Sequence, residues 1–442
     1  MKRTLHNITP RQQAIIVCMT LSLLVGAYSI RNFHDLIKVQ TMTQTMKTMC
    51  VGRFLIDVPV DAPVSFRPAF LSGWTISTSV DETDQQFAER LAAKEAELKA
   101  TRNEKGWESL ETVLPVKHEM VQGKVFVFDR TWSHFFEDGK RMETQAAAVH
   151  GYLRIEQTSL TFTAKYLDTE NARELVRLAT QVRAMKEGEI PTAPGFCFGR
   201  AMLLDPLLAS QNERVTMFVG IKDHPDISIV LDTAAGLKPD RTLLGRANGV
   251  IRQQHTWRFH NFRRGSKNLA GLAGEELLEK VQEDKGLTVH NFQWESFDKR
   301  DDVFTPRLSL ELGSGYGRPG KLVGSSLWDD AILALWDKLA DSLRVRPTIL
   351  PVPEVAPGPG PAPASTARSG EPCPSTGWWR CTNGAGLLIA GGERQFFTAG
   401  TRLPQARLAP PSTLWQRLRK RAEPMPSRWV VATDTPPVLP PT

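Results

Sequence analysis

Two short openings constrain this chain more than any other feature. Cys50-Val51-Gly52-Arg53 is followed by Leu55-Ile56-Asp57 and Pro59, and Cys197-Phe198-Gly199-Arg200 by Leu203-Leu204-Asp205-Pro206. The second copy carries one extra residue before its aspartate. Each opens a segment of similar length that closes with an amphipathic helix and a break. The pattern predicts two related domains in tandem, over 50–187 and 195–347.

The repeated residues allow two roles. Arg53 and Arg200 suit anion binding, or a shared fold device in which each arginine pairs with Asp57, with Asp205 or with the terminal helix. Recurrence at one position favours the fold device. Gly52 and Gly199 then serve backbone geometry, and Cys50 and Cys197 belong to the same structural set.

Each segment reads as a helix among antiparallel strands. In the first, Trp74–Val80 alternates as a strand, Asp81 and Thr83 cap a helix with Phe87, Leu91 and Leu98 on one face, and that helix ends near Asn103. Strands are expected at Val113–Val116, Val125–Trp132, Thr144–Tyr152 and Leu160–Tyr166, with turns at Gly123 and Asp138-Gly139, then a helix over Thr169–Met185. In the second, Val215–Ile221 and Ile227–Asp232 form a hairpin, and a helix covers Asp240–Gln254. Strands follow at Thr256–Arg263, Leu287–Ser296 and Arg307–Leu312, and a helix from Trp328 to Leu343 is stopped by Pro347. The fold class is α+β, two related domains of antiparallel sheet packed with helices.

The N-terminus sets the compartment. Ala14–Ile30 is uncharged and apolar, with Lys2, Arg3 and Arg11 before it. It exceeds the ~7–15 residues of a signal-peptide core and lies at the short end of a membrane span. Residues 1–13 are therefore expected in the cytoplasm, 14–30 in the inner membrane, 31–49 as a stalk and the rest in the periplasm, with a cleaved signal as the alternative. Beyond the membrane, disulfides persist. Cys373 and Cys381 flank Gly377-Trp378-Trp379 and are expected to bridge, stapling a small β module over 373–420. A Pro-rich linker, 348–372, precedes that module, and a loose tail, 421–442, follows it.

The residues offer no catalytic, metal or cofactor set. There is no Gly-x-Ser-x-Gly elbow, His-Glu-x-x-His pair or P-loop. Gly315-Tyr316-Gly317-Arg318-Pro319-Gly320 matches a dinucleotide pattern, but Pro319 intrudes and the strands before it read as antiparallel. Asp301-Asp302 and Asp329-Asp330 are adjacent pairs that do not face one pocket. The net charge of +7, and a run from His255 to Arg264 that mixes Trp, Phe, His and Arg, would suit nucleic acid. Export argues against that partner and leaves a protein interface or an ordinary strand.

The openings Cys50–Pro59 and Gly195–Pro206, with the apolar run before them, resemble the periplasmic immunity proteins of type VI secretion lipase effectors. The group is the one paired with the fourth class of such lipases, and the resemblance covers about 45–347. It implies two α/β domains that grip a secreted phospholipase like pincers and hold its lid, with no catalytic residue of their own. A membrane-anchored adaptor and an envelope hydrolase remain as the competing classes.

Overall fold

In the computed structural model the described residues are 19–20, 30–348 with short interruptions, and parts of 366–431. The interruptions fall at 168, 206–211, 237–238, 248, 250–253, 284–285, 298–301, 304 and 318–320. Most of Ala14–Ile30 and residues 349–365 of the linker lie outside the described residues. Among the described residues no helix is long and apolar enough to cross a membrane.

A helix over 30–42, α1, leads into β1 (Met46–Val51) and β2 (Phe54–Pro59). The rest of the first half is β3 (Val64–Phe66), β4 (Ala69–Leu71), β5 (Trp74–Ser79), α2 (Asp84–Ala100), β6 (Leu110–His118), β7 (Val121–Glu137), β8 (Lys140–Ile155), β9 (Thr158–Leu167), α3 (Thr169–Ala179) and β10 (Val182–Ala184). The second half holds β11 (Gly195–Phe198), β12 (Ala201–Leu204), β13 (Glu213–Ile221), β14 (His224–Ala234), α4 (Leu243–Arg246), β15 (Phe259–Ser266), β16 (Gly274–Gln282), β17 (Thr288–Ser296), β18 (Arg307–Gly313), α5 (Asp329–Ser342) and β19 (Arg344–Val345). All pairing is antiparallel, and the α+β class holds.

One thirteen-stranded sheet runs through both halves, in the order β15-β16-β17-β18-β14-β13-β4-β5-β9-β8-β7-β6, with β3 also on β13. The halves join where β3 and β4 pair with β13. The two openings fold as matching hairpins, and each is completed by the other half. β10, after the helix of the first half, pairs with β12, and β19, after the helix of the second, pairs with β2. The exchange repeats atom for atom: Met185 N donates to Arg200 O, and Arg346 N to Arg53 O, both at 2.9 Å. One core follows, in which Val51, Ile56, Phe162, Phe198, Leu231 and Trp336 belong to a single buried cluster. The halves are therefore interlocked.

Local chemistry explains the helices. The Thr83 hydroxyl accepts from Gln86 N while the Gln86 side chain accepts from Thr83 N, a capping box that starts α2. Phe87, Leu91 and Leu98 then pack on Phe126, Phe128 and Ala148. α5 opens with Asp329 and Asp330, the sign that a helix N-terminus favours.

Several expectations need correction. Residues 31–49 are not a stalk, since Asp35 and Val39 of α1 are buried and β1 begins at Met46. Gly123 lies inside β7, where a Cβ would stand 1.9 Å from Tyr152 O, so glycine is there for close approach and not for a turn. α3 stops at Ala179 because Val182–Ala184 is taken by β12. Of the helix expected over Asp240–Gln254, Leu243–Arg246 forms a helix, 248 and 250–253 lie outside the described residues, and Thr256–Arg258 is a 3-10 turn before β15. β16 was not expected at all: GEELLEKVQ is built of helix formers, and pairing with β15 and β17 overrides that preference.

The C-terminal module has β20 (Thr366–Arg368), β21 (Gly377–Cys381), β23 (Arg394–Phe397) and β26 (Arg428–Val431) in one sheet, and β22 (Leu387–Ile389), β24 (Ala406–Leu408) and β25 (Pro424–Met425) in another. It reaches into both the linker and the tail, because β20 and β21 pair with β26. The expected Cys373–Cys381 bridge is absent. Both are free buried thiols in an apolar cluster with Ala367, Trp379, Phe397 and Leu403. The Cys373 thiol donates to Ser375 O at 3.1 Å, and burial pushes its pKa up.

Candidate functional site

The repeated residues meet at the seam between the halves. Cys50 and Cys197 form a disulfide across 147 positions. Beside it Gly52 and Cys197 exchange two backbone hydrogen bonds, 2.8 and 2.9 Å. Gly52 and Gly199 turn the hairpins at φ +61° and +55°. A Cβ on Gly52 would come 2.7 Å from Thr233 of the second half, and one on Gly199 2.4 Å from Thr78 of the first. Each turn needs both the left-handed backbone and the missing side chain.

Arg53 crosses the same seam. It is 9% exposed and forks onto Asp205 at 2.8 and 2.9 Å and onto Glu213 at 2.7 and 3.0 Å. Burial opposes its charge, but Asp205 and then Glu213 outweigh burial and hold the guanidinium protonated above its ordinary range. Arg346, just past β19, donates to the carbonyls of Pro191, Ala193 and Gly195, and burial followed by nearby Arg53 lowers its pKa to about 10.

The other repeat residues behave differently. Asp57 accepts from Arg344 at two positions 3.0 Å away. Burial opposes its ionisation, while hydrogen bonds from Arg344 and Thr48 prevail and lower its pKa. Arg200 reaches Glu187, at 3.4 Å near the surface, and neither Asp57 nor Asp205. The two arginines are thus equivalent in backbone and unequal in use. The pairing of the cysteines, and of Arg53 with the opposite half, depends on the exchange of β10 and β19, which no local signal carries.

A second feature lies beyond the strand ends expected at Trp132 and Thr144. β7 and β8 continue past the ends of their neighbours: pairing with β6 stops at Phe128, and with β9 at Ala147. From Thr131↔Ala146 to Glu137↔Lys140 they form a ribbon with no flanking strand. Bulges at Phe128/Thr131 and Ala147/Val149 mark the departure from the sheet. The ribbon exposes Phe135, Phe136 (69%) and Met142. At its base Trp107 and Trp132 meet edge to face at 5.5 Å, with Lys105 Nζ 3.7 Å from the Trp132 ring centre. The signal was two adjacent aromatics beside the Asp138-Gly139 turn, which a strand points to opposite faces.

One constellation has hydrolase residue types. His290 Nε2 lies 2.9 Å from Asp329, and its Nδ1 lies 3.0 Å from Ser314 Oγ and 3.1 Å from Ser325 Oγ. His290 is 3% exposed and Ser314 4%, so the set is enclosed beneath the start of α5, and Lys280 also binds Asp329. It ties β17 to α5 as a buried structural network. Of the remaining candidates, Asp302 accepts from Thr305 N and Asp301 lies outside the described residues, as do Arg318, Pro319 and Gly320. His255–Arg264 runs into β15 at the sheet edge, with Trp257 exposed and Arg263 on Asp337. Among the described residues no group of three or more His, Cys, Asp or Glu could hold a metal ion.

The fold is thus two interlocked halves held by a buried lock, with an exposed aromatic ribbon and an enclosed histidine. The family comparison makes that particular: the N-terminal domain of Tle cognate immunity protein 4 matches residues 47–189 and its C-terminal domain matches 189–348, and the chain belongs to this family. The immunity protein TplEi of the type VI secretion system (T6SS) from Pseudomonas aeruginosa, in its apo structure, is 25% identical with a TM-score of 0.57, covering 70% of this chain and 100% of that one. The crystal structure of the Tle4–Tli4 complex gives 24% identity and a TM-score of 0.57, covering 69% and 99%. No curated protein matches the chain. The resemblance drawn from the two openings therefore holds, and the family is one of immunity proteins, not of enzymes.

Proposed function

We propose that this chain binds a phospholipase effector of a type VI secretion system in the periplasm and blocks it, protecting the cell that carries it. The observation that supports this reading is the ordered match of both family domains over 47–348. The apolar sequence at Ala14–Ile30 would hold the chain in the inner membrane, with everything after it on the periplasmic side. Inhibition consumes nothing: it is the occupation of the enzyme by a rigid body. The C-terminal module lies beyond both family matches, and protection is proposed not to need it. The test is co-expression of the full chain with a periplasm-directed candidate phospholipase, scored for growth. Rescue by the full chain and by a chain ending at 348 supports the reading, and continued lysis with well-expressed protein contradicts it.

A further inference from the structure

The helix α1 has two unlike sides. One is fixed to the body: Asp35 and Val39 are 2% and 3% exposed, and Asp35 accepts from Lys38 Nζ at 2.8 Å and from Trp328 N at 3.3 Å. Asn32 donates to Asp330, and the Arg31 guanidinium sits 5.1 Å from the Trp328 ring centre, so α1 is clamped onto the start of α5. The other side presents Ile30 (72% exposed), Phe33 (66%) and Ile37 (45%), spaced three and four apart on one helical face. Three large apolar side chains contiguous on one helical face form a patch of the kind that marks a binding surface.

The sequence before α1 indicates which. The uncharged run ends at Ile30 and leads directly into the stripe. A membrane-spanning helix takes about 17–25 residues, so a run from Ala14 that ends at Ile30 puts Ile30, Phe33 and Ile37 at or just past the edge of the hydrocarbon layer. Arg31 and Lys38 turn to the body, onto the Trp328 ring and Asp35, and leave the face of the stripe apolar. We propose that Ile30, Phe33 and Ile37 rest against phospholipid at the acyl–headgroup boundary of the periplasmic leaflet. The anchor then does more than tether. Because α1 is packed on α5, it sets the whole body at a fixed height and angle on the membrane, where a phospholipase must arrive to reach its substrate. This inference rests on the anchoring reading above.

The experiment uses the full chain reconstituted into vesicles of phosphatidylethanolamine and phosphatidylglycerol. p-Benzoylphenylalanine replaces Phe33, Ile37 or, as control, Phe136 on the ribbon. After irradiation, adducts are read by mass spectrometry, and alkaline extraction scores anchoring separately. Lipid adducts at 33 and 37, and none at 136, are expected. A chain that resists extraction but gives no lipid adduct at 33 and 37, whether the probe stays unreacted or cross-links to protein, including a second copy, overturns the inference and leaves the anchor standing. A chain released by extraction overturns both.

Discussion

Arg53 and Asp205 stand 152 positions apart and meet in a two-pronged ion pair at the seam of the halves. Glu213 completes the site, so one guanidinium bridges two buried carboxylates, with the charge of Arg346 nearby. Replacing Arg53 by Ala would remove the guanidinium that both buried acids bind, at a cost of about 3–5 kcal/mol. Urea unfolding of Arg53→Ala should show that loss in one transition, because the halves share a core. Arg200→Ala, whose partner Glu187 is 90% exposed, should change stability by less than about 1 kcal/mol.

The second prediction concerns the thiols. Non-reducing peptide mapping should link Cys50 to Cys197 and leave Cys373 and Cys381 free. Removing the link with Cys50→Ala and Cys197→Ala should cost about 2–5 kcal/mol, since the closed loop is long. Reductant should lower the wild type to the level of that double variant.

The repeat, the backbone role of Gly52 and Gly199 and the long strands of the central sheet other than β16 were legible, because each is written in local pattern, whereas the short hairpin strands β1, β2, β11 and β12 were not. The sequence pointed to Arg53 and Asp205 as structural, yet gave no reason to join them across the halves. That join depends on β10 and β19 crossing over, a property of the whole chain. The same applies to the cysteines: nearness in sequence favoured Cys373 with Cys381, whereas topology brings Cys50 to Cys197. β16 was hidden for a different reason, since its residues favour helix and only its neighbours make it a strand.

The third prediction concerns the ribbon. Phe136 is exposed on a two-stranded ribbon that no third strand flanks, so it adds little to folding. We propose the ribbon as a contact for the phospholipase, and as an exposed aromatic there Phe136 should contribute about 1–3 kcal/mol, roughly ten- to a hundredfold in Kd. Isothermal titration of Phe136→Ala against the phospholipase should show that loss with an unchanged urea midpoint. An unchanged Kd would place the interface elsewhere.

The fourth concerns pH. Burial, followed by the charges of Lys94 and Lys165, lowers the His150 pKa from 6.5 to about 4, and burial lowers that of His224 also. The unfolded chain therefore takes up protons that the folded chain refuses. The His150 contribution is intact above about pH 6.5 and is lost as pH falls toward 4. The urea midpoint of the wild type should drop through that window, and His150→Gln should flatten the drop.

The most direct test of the central claim is a titration of phospholipase activity with the purified full chain. Activity should fall linearly to zero at one equivalent, with the immunity protein recovered unchanged and the phospholipase intact. Inhibition should persist in a chain ending at 348. Undiminished activity at excess protein, or turnover of phospholipid by the chain itself, would contradict the account.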